Sequence, residues 1–138
     1  MKNALLFSFL SLGIFLMGCK SDTPLDQSDE YKDIMKVHDD AMEKMSEINE
    51  LGQQLVQYAE GQADSTMAAM AHELRMKLES AEDGMMNWMQ GWKLPEKPSK
   101  EEAMEFFAKQ KEQVNSVSMD INKSIEEAKN FLQKSKNE

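Results

Sequence analysis

The chain has one cysteine, Cys19, and two histidines, His38 and His72. A lone thiol closes no internal disulfide, and so small a stock of thiol and imidazole leaves no Cys/His or Ser/His/Asp set for nucleophilic catalysis. Strand signals are also missing, with no sustained period-two alternation and few β-branched residues. No glycine-rich loop follows a strand, which removes the usual phosphate cradles. The three prolines are Pro24, Pro95 and Pro98, so the long stretches between them carry no helix breaker of that kind. Basic residues are outnumbered as well, 16 Lys and Arg against 25 Asp and Glu, for a formal charge of −9. Such a surface is repelled by nucleic acid and by anionic lipid headgroups, and neither is expected as a partner.

The longest apolar stretch, Ala4 to Phe15, falls short of the roughly 20 residues that span a bilayer, but it has the length of a signal-peptide core. Lys2 precedes it and Leu16-Met17-Gly18-Cys19 closes it. An aliphatic residue three before a cysteine, a small one just before it and the thiol itself are what a lipoprotein signal peptidase requires. Residues 1–18 are therefore expected to be removed as a lipoprotein signal peptide, and Cys19 to become the lipidated N-terminus. Lipidation also accounts for the unpaired thiol in an oxidising compartment. The mature chain of 120 residues then carries a formal charge of −10. Because charge does not bind it to the membrane, acyl chains on Cys19 must, and more than one chain is needed for stable anchoring. Lys20, in place of the aspartate that retains lipoproteins at the inner membrane, points to the outer membrane.

Behind a flexible tether, 19–28, residues 29–138 show the helical period throughout. A first helix is predicted from about Asp29 to Glu60, capped by Ser28 and stopped by Gly61, with Tyr31, Ile34, His38, Ala41, Met45, Ile48, Gly52, Leu55 and Ala59 along one seam. A second runs from about Ser65 to Gln90, capped by Asp64 or Ser65, through Met67, Ala71, Leu74, Leu78, Ala81, Met85 and Trp88 to Trp92. The linker WKLPEKPS ends it, and Ser99 with Glu102 forms a capping box for a third helix reaching about Lys134. On that helix Ala103, Phe107, Gln110, Val114, Val117, Ile121, Ser124, Ala128 and Phe131 share a face widened by Phe106, Ile125 and Leu132. Short connections make neighbours antiparallel, so the expected fold is an all-α, up-down-up antiparallel three-helix bundle.

Methionine is abundant, at eleven of the 120 mature residues. Soft thioethers beside imidazole suit copper(I). His38, Met42 and Met45 stand at i, i+4 and i+7, and His72 and Met76 at i, i+4. The alternative function is thus a soft-metal binder using those five residues. Against it, His38, Met45, Met67 and Met85 fall on seam positions and Met35, Met42, Met70 and Met89 beside them, where methionine serves as flexible filler. Only His72, Met76 and Met86 face outward, so the expectation is packing, with no metal and no cofactor. Carboxylates such as Glu43, Glu47 and Glu50 alternate with Lys44 on outer faces and are expected to be solvated, not held for acid–base work. The protein is accordingly expected not to be an enzyme.

The stretch DGMMNWMQGW, 83–92, gathers three methionines, two tryptophans and two glycines. Folding the helices on their turns sets residue 38 level with about 86, and 86 with about 105. Met85, Trp88 and Met89 should then meet His38, Met42, Phe106 and Phe107 as an aromatic–thioether plug. Gly84 and Gly91 would let bulky neighbours approach, Asp39 would point away from His38, and His38 would be packed and neutral.

The lipobox, the segment HDDAMEKMSEI around His38, Met42 and Met45, Met85-Met86-Asn87-Trp88-Met89, and KQKEQVNSVSMDINKSIEEA on the last helix together resemble small lipoproteins of the Bacteroidota type, some labelled "viral A-type inclusion protein". The resemblance spans nearly the whole mature chain. It implies an envelope location and an all-helical fold, and brings no catalytic residue. With no catalytic set, the sequence points to a helical binding or structural module for another envelope protein.

Replacing Cys19 with serine should leave the precursor uncleaved and abolish metabolic labelling with palmitate. A Cys19→Ser protein processed normally and still membrane-bound would overturn the lipoprotein reading.

Overall fold

The structure is a computed structural model and describes residues 24–136. The signal segment, Cys19 and the start of the tether lie outside these residues. Within them the chain is all-helical: α1 (Asp29–Met42), α2 (Met45–Gly61), α3 (Ser65–Gly91) and α4 (Lys100–Ser135) follow a 3₁₀ turn at Leu25–Gln27. That turn falls in the expected tether. Gln27 N–H donates to Pro24 C=O at 2.9 Å, and Leu25 packs against the core, so the end of the tether is built into the fold.

Each start signal acts as local chemistry dictates. The Ser28 hydroxyl accepts from Tyr31 N–H, and the Asp64 carboxylate accepts from Thr66 and Met67 N–H. Each side-chain acceptor satisfies backbone donors that have no partner in the first turn. At α4 the capping box is complete: Glu102 N–H donates to Ser99 Oγ at 3.2 Å, and Ser99 N–H donates to Glu102 Oε2 at 2.7 Å. Gly61 is the last residue of α2, but it does not adopt the left-handed conformation of a glycine cap; its φ is not positive.

The first helix differs from expectation. It is two helices, α1 and α2, joined at Glu43-Lys44. Lys44 N–H donates to Ala41 C=O at 3.0 Å, an i→i−3 bond that tightens one turn, and Ile48 N–H picks up Lys44 C=O to resume the helix. Both joint residues keep right-handed helical dihedrals, so the seam passes through without a shift. Ile34, Ala41, Ile48 and Leu55, each seven residues from the next, are all buried. Ala71, Leu78 and Met85 do the same for α3, and Phe107, Val114, Ile121 and Ala128 for α4. A seven-residue repeat keeps one narrow face toward the partners of a bundle.

Three packed layers result. α1 lies mainly against α4, whereas α2 contacts both α3 and α4, and α3 packs along α4. Ion pairs mark the levels: Asp33 with Lys111, Glu47 with Lys129, and Lys77 with Glu127. Lys44 also reaches Asn122 of α4. Lys44 and Glu47, expected on a solvated face, therefore tie the joint to α4. These pairs are partly exposed and add little stability each; the buried seams hold the layers. Among the described residues no helix is long and apolar enough to cross a membrane.

The Ser99 backbone N–H, then its hydroxyl, holds the Glu102 carboxyl below the ordinary glutamate range. A lowered folded value means the box stabilises α4 fully above the unfolded glutamate value of about 4.3 and loses that contribution as pH falls through the folded value. NMR titration of Glu102 should give a depressed midpoint that rises in Ser99→Ala, with a loss of about 1 kcal/mol of stability from the missing cap. A Glu102 midpoint at the ordinary glutamate value in the parent protein would mean that the box does not form.

Candidate functional site

The stretch 83–92 forms the end of α3, and the seam sets what it meets. Met85 is fully buried and Trp88 nearly so, while Met86 and Asn87 face outward. Around them the rings form a continuous cluster. Trp88 lies 5.1 Å from Trp92 between ring centroids, and Trp92 lies 5.9 Å from Tyr31 and 5.6 Å from Phe106. Phe106 in turn meets Phe107 at 5.4 Å. Tilted and edge-on arrangements of this kind add about 0.5–1.5 kcal/mol per pair beyond their burial.

Trp92, the last seam position expected for the second helix, is the hub of the cluster. It is the cap residue just past α3, with its N–H on Met89 C=O at 3.2 Å. Extended backbone there swings the indole across the end of the bundle. The four-and-three spacing that continues from Trp88 to Trp92 was the signal for it. The glycines do less than expected: a Cβ on Gly91 would meet nothing within 4 Å, and one on Gly84 would make ordinary contact with Val117 at 3.6 Å. Neither is required by close packing.

His38 sits against this cluster from α1. Its ring is 5.7 Å from that of Trp88, and its side chain is 16% exposed. Nδ1 lies 2.9 Å from Asp39 Oδ1, and Nε2 lies 3.0 Å from Met89 Sδ. The packing of His38 is as expected; the role of Asp39 is not. A neighbour in sequence on a helix is set about a hundred degrees round the axis, but the short aspartate folds back along the surface to reach the outer nitrogen of the ring. Of the residues weighed as metal ligands, Met42 and Met45 pack beside the core. His72 and Met76 are exposed, and Met76 keeps 67% of its surface. His72 is 17 residues from Met89 on one helix, about 25 Å at 1.5 Å per residue, so the two histidines belong to separate places. Met70, expected beside the core, is 46% exposed instead. Among the described residues no three His, Cys, Asp or Glu side chains gather as a metal site.

Two open grooves flank the cluster and the joint. One, of about 520 Å³, runs between α3 and α4 over Gly84, Asn87, Gly91, Gln110 and Gln113, and the other, of similar size, lies between α2 and α3. Both are lined largely by amides, glycines and charged groups. Trp88 Nε1 is buried without a hydrogen-bond partner. Elsewhere the perturbed groups are surface ion pairs: Lys36 is raised chiefly by its hydrogen bond to Asp40, Lys77 by those to Glu127 and Glu73, and Glu127 is lowered by Lys77.

No family model matches the chain, and neither a curated protein nor a solved structure matches it. Function must therefore be argued from the residues themselves.

Trp88 anchors the cluster, so Trp88→Ala should lower stability by about 3–5 kcal/mol, as other large aromatic truncations do. The outward Met86→Ala should change it by under about 0.5 kcal/mol. Urea unfolding of both variants checks the order; the reverse ranking would mean the face of α3 is assigned wrongly.

Proposed function

We propose that this protein is a lipid-anchored envelope lipoprotein, held by acyl chains on Cys19 at the outer membrane, whose helical domain is a binding or structural module for another envelope protein. The levels of the ion pairs support an up-down-up antiparallel bundle. Asp33 and Glu47 meet Lys111 and Lys129 in rising order, whereas Lys77 of α3 meets Glu127 and Gly84 meets Val117 in falling order. The mature chain's charge sets the anchor apart from headgroup binding, and the lipobox supplies the acyl chains.

The observation that carries the binding role is apolar surface outside a complete core. Met76, Met104 and Met119 are 67%, 61% and 69% exposed, although every helix already buries its seam. They do not help the bundle fold. Flexible thioethers suit contact surfaces because they adapt to a partner without a fixed shape. The open, polar-lined grooves offer little enclosure for a small apolar ligand. A protein surface suits these exposed thioethers better.

A photo-crosslinking residue in place of Met76 or Met119 in the native cell should give an adduct with one discrete envelope protein. The same residue in place of the exposed Glu60 should not. Adducts absent from both methionine positions, or equal from all three, would overturn the binding role, whatever the outcome of the Cys19 experiment.

A further inference from the structure

Between α1 and α3, His38 Nε2 meets Met89 Sδ at 3.0 Å. The two helices run in opposite directions, so the turn after His38 lies level with the turn before Met89. Met42 is the residue four after His38 and Met85 the residue four before Met89. Residues at i and i+4 share a helix face, with about 5–6 Å between their Cβ atoms. The imidazole–thioether contact therefore has a further thioether one turn away on each of the two helices, within the reach of flexible side chains. Met85 is fully buried, and Met42 and Met89 pack against the same core.

The orientation of the imidazole matters as much. Asp39 Oδ1 is 2.9 Å from Nδ1, placed to accept a hydrogen bond from it in the Nδ1–H tautomer. That tautomer makes Nε2 the lone-pair atom, 3.0 Å from a thioether sulfur that also offers lone pairs. Two acceptors confronting each other in a water-poor place gain from a cation between them. A carboxylate behind a ring nitrogen is also how a protein fixes the tautomer of a ligating histidine. Trp88, whose ring lies 5.7 Å from the imidazole, borders the same place with a face that attracts cations.

We propose that this end of the bundle binds copper(I), through His38 Nε2 and Met89 Sδ, with Met42 and Met85 as the further thioethers. The donor set selects the ion. Thioethers are soft, neutral ligands that suit copper(I), whereas zinc favours thiolate, imidazole and carboxylate, and copper(II) a tetragonal nitrogen and oxygen field. A single positive charge is also the smallest that such a partly buried, neutral set must accommodate. The ion enters and leaves as copper(I), so no electron is exchanged. The site does not include His72 or Met76.

The test uses the full chain in detergent, carrying Cys19→Ser so that no thiolate competes. Under anaerobic conditions copper(I) is offered from a bicinchoninate complex, whose colour reports transfer. About one equivalent should move to the protein, with loss of tryptophan fluorescence from Trp88 beside the ion. Met89→Leu and Met42→Leu, which conserve volume, should each weaken binding by about tenfold or more, and Asp39→Asn by about tenfold through the misoriented imidazole, all with unchanged helical circular dichroism. A His72→Ala, Met76→Leu double variant should bind as the parent does. No transfer of copper(I), parental affinity in Met89→Leu or Met42→Leu, loss that follows His72 and Met76, or stronger binding of zinc(II) would each overturn the proposal.

Discussion

Burial of one narrow apolar face on every helix is the constraint from which the remaining features of this structure follow. The seam recurs every seven residues, and it runs from Ile34 to Leu55 straight through the joint at Glu43-Lys44. A joint that rotated the chain by one residue would turn Ile48 and Leu55 toward water and bring Asn49 and Val56 inward. The tightened turn avoids this because both of its residues keep helical dihedrals. Continuity of the seam lets α1 lie on α4 while α2 bridges α3 and α4. It also fixes which residues of α3 and α4 face each other, and hence where the aromatic cluster forms.

Methionine is used in two distinct ways along that frame. Inside, Met85 fills the layer next to Trp88, and Met42, Met45 and Met89 fill the margins, where a flexible side chain adapts to uneven gaps between helices. Outside, Met76, Met104 and Met119 are largely exposed and contribute nothing to the seams. The inner group earns a second interpretation only because His38 is aimed at it. An imidazole held from behind by Asp39 and facing a thioether is a chemical arrangement, where a packed leucine at the same position would be only volume. The outer group is exposed instead, and the proposed binding role rests on it.

Much of the fold was legible because its signals are local. The Ser28, Asp64 and Ser99 caps lie next to the backbone groups that they satisfy, and the spacing of Met67 through Trp92 or Phe107 through Phe131 is a property of a single helix. What was misjudged depends on neighbours in space. The segment Ala41-Met42-Glu43-Lys44-Met45-Ser46 contains no proline or glycine, so nothing in it announces a tight turn. Lys44 and Glu47 belong to an outward pattern until Asn122 and Lys129 are brought opposite them. Asp39 lies off the seam, yet its side chain reaches the one nitrogen of His38 that the core leaves accessible.

The amino-acid sequence alone determined the helical class, the three seams, the capped starts of α1, α3 and α4 and the acidic charge, because each follows from periodicity, capping chemistry or counting. It also carries Leu16-Met17-Gly18-Cys19, the four adjacent residues on which the proposed lipid anchor rests. The tertiary structure decided the joint between α1 and α2, the place of Trp92 at the centre of the ring cluster, the small role of Gly84 and Gly91, and the meeting of His38 with Met89 across 51 positions of chain. Those depend on which turn of one helix lies level with which turn of another. A helical period specifies the face that is buried; the level at which two faces meet is set by how bulky side chains interlock, and only the packed layers reveal it.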